Sequence, residues 1–213
     1  MKAFFISALV LMMFASVQAQ QNQRYEIVNK KIKLLPEGKE FYEKNLPAVV
    51  DNSTEMYFPP VYSQTHFVCN QVSSSYYMMT YETCRVKNIS ASNHNNWFSV
   101  YVPWNWFHGG NGWYGGHVTG VFNLAKSCGM PFMYQSQADI DRDSSLWITG
   151  YDNYYDFMHN RIKDYYYIDV KDEDGLMALK AWVYDHARDE HPGGLATFMT
   201  NIGSGGDNHL PSG

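Results

Sequence analysis

The sequence predicts an α+β chain, a helical first half that leads into the beginning of a β-rich second half. Two observations carry that expectation. Between Cys69 and Lys87 the larger apolar residues Val72, Tyr76 and Met79 recur at i, i+4 and i+7, the repeat of one buried helix face. Further on, "DYYYIDV" and "GGLATFMTNI" have the content of strands. They flank "DEDGLMALKAWVYDHA", a helical stretch with acidic residues at its positive N-terminal end.

In chain order, Lys2, the apolar "AFFISALVLMMFASV" and the small-residue "VQA" form the zones of a secretory signal, with cleavage expected after Ala19. That run is too short for a membrane anchor, and no later one approaches the roughly 20 apolar residues a bilayer requires. A soluble protein is expected, secreted or periplasmic. Residues 20–45 are polar and Lys/Glu-rich and read as a lead-in rather than a domain, with a short helical turn in "KLLPEGKEFYEK". The compact part starts at "LPAVVD". Pro59 and Pro60 hold the next stretch extended, because proline removes a donor and restricts the residue before it.

A helix opens at or near Cys69, followed by the loop "NISASNHNN" and by "WFSVYVPWNWFHGGNGWYGG", whose Pro and Gly residues argue against one continuous strand. The second helix, "HVTGVFNLAKS", stops at Cys128-Gly129, with Gly129 placed as the left-handed residue. Pro131 to Tyr155 read as irregular surface, and "GSGGDNHLPSG" as loop. The two strands begin a sheet whose other strands are not found in the sequence.

With a net charge of −5 and scattered Lys and Arg, the chain has no basic stripe for tracking phosphates, which argues against a nucleic-acid partner. Three cysteines leave at least one unpaired within the chain. Cys84 and Cys128 fit apolar filler or the halves of one bridge. Cys69 has two readings: a nucleophile, since a thiol at a helix N-terminus meets the positive end of the dipole, or a small apolar group sealing the helix entrance. His66 and Cys69, three apart, do not extend to a tight second pair of metal ligands. The clusters "WNWF", "GWYGG" and "DNYYDF" fit either core packing or a surface for sugars or peptides.

Taken in order, "LPAVVD", Pro60-Val61 with Gln64, "MMTYE", Gly115-Gly116 and "HVTGVFNLAKSCGM" resemble motifs of the papain-like cysteine peptidases, over roughly Leu46 to Met130. The resemblance implies a papain-like α+β fold, with a helical left domain over 46–150 and the start of a β-rich right domain over 151–213. It implies peptide-bond hydrolysis through a Cys69 thiolate, Gln64 in the oxyanion hole, Gly115 and Gly116 along the substrate backbone, a peptide or protein partner and no cofactor. The departures point to an inactive peptide- or glycan-binding relative. The family opens this helix Cys-Gly-Ser-Cys-Trp, whereas here it reads "VCNQVSS". Counted back from "MMTYE", Val72 takes the nucleophile position and Cys69 that of a disulfide cysteine, whose partner's place holds Trp113. Counted forward from Gln64, Cys69 falls one residue short of the nucleophile. The family's downstream histidine has no convincing counterpart, since His209 stands in a proline-bearing loop. On the helix-based count Cys69 is expected to be shielded from solvent.

Overall fold

The computed structural model describes residues 36–108, 116–143, 145–188 and 191–198. The expected signal segment, Trp113, Gly115 and His209 lie outside them. The described part is helical: α1 (Pro36–Asn45), α2 (Cys69–Gln71, Val72–Met79 and Thr80–Lys87 in unbroken succession), α3 (Tyr101–Phe107), α4 (Val118–Ser127), α5 (Gln137–Asp141), α6 (Tyr151–His159) and α7 (Glu173–Asp185). No helix among the described residues is long and apolar enough to cross a membrane.

The predicted β-rich part, and with it the α+β papain-like architecture, is not found. There is no sheet among the described residues; pairing is limited to isolated bridges such as that of Phe98 with Phe132. The described parts of the two strand-like segments form neither helix nor strand, and helices and side chains satisfy them where a ladder was expected. Tyr165 donates its hydroxyl to Asn123 on α4 (2.9 Å) and its ring packs against Phe122. In 191–198, Gly194 donates its N–H to the Trp182 carbonyl at 2.8 Å, and the Gly193 carbonyl accepts the Tyr81 hydroxyl at 2.8 Å. Strand propensity records a fit to a half-buried, pleated surface, and such a surface need not be a sheet.

α2 is the spine. Its Val72 and Tyr76 pack with Val100, Tyr101 and Trp104 on one side, while Met79 packs with Val121, Leu124 and Ala125 of α4 on the other. All three residues are buried as expected, but not on the one face that α-helical spacing implies: Met79 joins a separate core cluster from Val72 and Tyr76. Within α2 the eight residues Val72–Met79 are π-helical. The helix ends at Asn88, left-handed at φ 51°, whose side chain accepts the Tyr57 hydroxyl. α4 ends as expected at Gly129, with φ +83°.

Three segments differ from expectation. The lead-in supplies α1, which docks on α7: Tyr42 is buried and donates its hydroxyl to the fully buried Asp185 at 2.7 Å, and Lys39 pairs with Asp174. The aromatic segment supplies α3, with Pro103 in its first turn, where a missing N–H costs least. The supposedly irregular stretch after Pro131 holds α5 and α6. Ser136 caps α5 by accepting the Asp139 N–H, and the buried Asp139 carboxylate then reaches α3. Its Oδ1 accepts the N–H groups of Val100 (2.7 Å) and Tyr101 (3.0 Å), and its Oδ2 accepts the Ser99 hydroxyl. A side chain 38 residues away thus satisfies donors that the first turn of α3 cannot pair internally.

Candidate thiol site at the start of the central helix

Cys69 is the first residue of α2 and is exposed, so the expectation of a shielded thiol is overturned. Val68 before it and Gln71 two residues after it bury instead. Val68 is fully enclosed in the core between α2 and α3, and Gln71 is fully buried beneath the first turn. Val72, at 8 % exposure, belongs to that same core and cannot present a group to a ligand.

The surroundings of Cys69 are built from three directions. Asn70 donates its side-chain amide to the Gly116 carbonyl, which ties the start of α2 to the residue leading into α4. Gly116 has φ +73°, and a Cβ there would lie 3.1 Å from the Phe107 Cβ and 3.5 Å from the Gln71 Nε2, so the close approach requires glycine. On the incoming chain, the His66 carbonyl accepts both the Gln64 Nε2 (2.7 Å) and the Val68 N–H (2.8 Å), curling residues 64–68 just before the helix. Gln64 is exposed, and its amide is engaged with that carbonyl. The His66 ring is fixed by the Tyr101 hydroxyl at Nδ1 (2.8 Å) and lies against Trp104. Of the residues singled out in sequence, Cys69 and Gly116 are thus brought to one helix end, with Gln64 in the lead-in turn. Asn70 was missed; a polar side chain directly after the cysteine was its only sequence signal.

All three cysteines are free: Cys69 and Cys128 are exposed and Cys84 is buried. Burial pushes the Cys84 thiol up to about 11, which leaves it unreactive at neutral pH. Alkylation of the native protein is therefore expected at Cys69 and Cys128 only, with Cys84 labelled after unfolding; peptide mapping of the modified chain checks this. No grouping of His, Cys, Asp and Glu among the described residues is arranged to hold a metal ion. Two clefts, of about 330 and 440 Å³, are lined by residues such as Asp51, Tyr184 and His191 in one and Met56, Phe58 and Pro60 in the other. Cys69 is exposed and lines neither of these two clefts.

No protein-family model, curated protein or solved structure matches the chain.

Proposed function

We propose that the protein is an exported cysteine-type peptidase homologue that handles peptides at the N-terminal end of α2, with Cys69 as its reactive thiol. The observation that supports this most directly is the exposed Cys69 at the first residue of α2, beside an Asn70 amide that grips Gly116. A thiol in that position meets the positive end of the peptide dipoles, and an extended peptide can run along the backbone at Gly116. Gln64, in the adjoining turn, would turn its amide from the His66 carbonyl to a developing oxyanion.

Cys128 supplies an internal comparison, being an exposed thiol with no such surroundings. A peptidyl vinyl sulfone is expected to modify Cys69 at least about tenfold faster than Cys128, with excess peptide protecting Cys69 alone. Equal rates at the two thiols, with no protection, would sink the reading. A second reading, peptide binding without hydrolysis, is favoured by His66, the histidine nearest Cys69 in sequence, whose ring is already engaged by Tyr101 and Trp104. Protection of Cys69 by a peptide that is never cleaved selects it.

A further inference from the structure

Two large indoles stand in solvent and touch each other. Trp106 on α3 is 43 % exposed and Trp147, between α5 and α6, is 54 % exposed; their ring centroids lie 5.8 Å apart at 55°. Both are held by buried neighbours. Asn105, which precedes Trp106 and is 5 % exposed, donates Nδ2 to the carbonyls of Leu146 (2.7 Å) and Asp143 (3.3 Å). Ile148, which follows Trp147, is buried with Val102 and Phe157, and its carbonyl accepts the Tyr154 hydroxyl at 2.8 Å. The indole pair is therefore set in place by the fold before any ligand arrives.

The tethered loop also carries a charge. The Asp143 carboxylate accepts the Ser145 hydroxyl and N–H, each at 2.7 Å, and these bonds hold its carboxyl below the usual range. The Asn105 Oδ1 is buried with no hydrogen-bond partner among the described residues, a spare acceptor at the root of the loop.

We propose that Trp106 and Trp147, with Asp143 in the loop tethered beside them, form a subsite for a cationic side chain, and that its ligand is an arginine-bearing peptide. An indole face attracts cations more strongly than the other aromatic side chains do. A guanidinium is planar and weakly hydrated, so it can stack on a ring while its edge donates to a carboxylate. A neutral sugar could use the rings but would gain little from a fixed negative charge, and the whole chain carries −5. The subsite gives the peptide reading a ligand class, yet its occupancy needs no thiol chemistry.

The test therefore uses the full chain carrying Cys69→Ser and Cys128→Ser, with indole N–H signals followed by NMR. The probes are a blocked Gly-Arg-Gly peptide and its citrulline analogue, which keeps the shape and loses the charge. The arginine peptide is expected to shift the Trp106 and Trp147 signals and to bind about tenfold more tightly than the citrulline peptide, with affinity falling as salt is added. Trp147→Ala should weaken binding by a similar factor, and Trp147→Phe by less. Should Trp147→Ala lose its folded circular-dichroism signature, Asp143→Asn is read instead, with several-fold weaker binding expected. Equal affinity for the citrulline peptide, unchanged binding in these variants, or a neutral oligosaccharide shifting the two indoles more strongly than arginine would each overturn the proposal. Loss of peptidase activity would not bear on it.

Discussion

Asp139→Ala is expected to destabilise the protein by about 3–5 kcal/mol, measured by denaturant unfolding at neutral pH. The carboxylate is buried, and its removal leaves the N–H groups of Val100 and Tyr101 and the Ser99 hydroxyl without their acceptor. Asp139→Asn should cost less, because the remaining carbonyl can still accept both N–H groups. The pair also yields a pH test. Burial raises the Asp139 carboxyl above its ordinary value, outweighing the hydrogen bonds with Ser99, Tyr101, Val100 and Ser136 that pull it down. The folded state then holds this proton to higher pH than the unfolded chain does. The corresponding stability is complete below the unfolded value of about 3.9 and is lost as pH rises through the folded value. The stability of the wild type relative to Asp139→Asn should accordingly shrink from pH 4 upward. A difference that grows with pH would mean that the hydrogen bonds outweigh burial.

The second large effect is expected at Gly129. Its φ of +83° already disfavours a side chain, and a Cβ there would lie 1.6 Å from the Phe157 carbonyl oxygen on α6. Relief requires moving a helix backbone, so Gly129→Ala should cost about 3 kcal/mol or more. Gly150→Ala separates the two contributions. Gly150 also has a positive φ, +100° with ψ 137°, but the nearest atom to its Cβ would be the Asn153 Nδ2 at 3.7 Å, so only backbone strain of about 1–3 kcal/mol is expected. Equal losses at the two positions, read by thermal unfolding, would show that α6 yields easily at Phe157.

What could be read in advance was what depends on neighbours in sequence. That Val72, Tyr76 and Met79 are buried follows from their apolar character in a helical run, though not their division between two core clusters, and the Gly129 stop follows from the one residue that tolerates a positive φ cheaply. The position of Cys69 could be read only to within a turn. A π-helical stretch changes how many residues fill a given length of helix, and nothing in "VSSSYYMM" announces it. α5 did leave a trace, a serine three residues before an aspartate, but the carboxylate's main duty is to α3, across the fold. The expected sheet failed for a related reason. "DYYYIDV" and "GGLATFMTNI" announce extended, half-buried backbone, and only the surrounding fold decides whether a strand or a helix covers it.

The docking of α1 on α7 also constrains how the chain comes to be folded during synthesis. The Lys39–Asp174 and Tyr42–Asp185 contacts join residues 135 and 143 positions apart, so α1 leaves the ribosome long before its seat exists. Meanwhile α2 and α4 can begin to pack through Met79 and Val121, a much shorter loop. α1 is thus among the last of the described helices to settle, and until then its apolar side is available to whatever accompanies the growing chain.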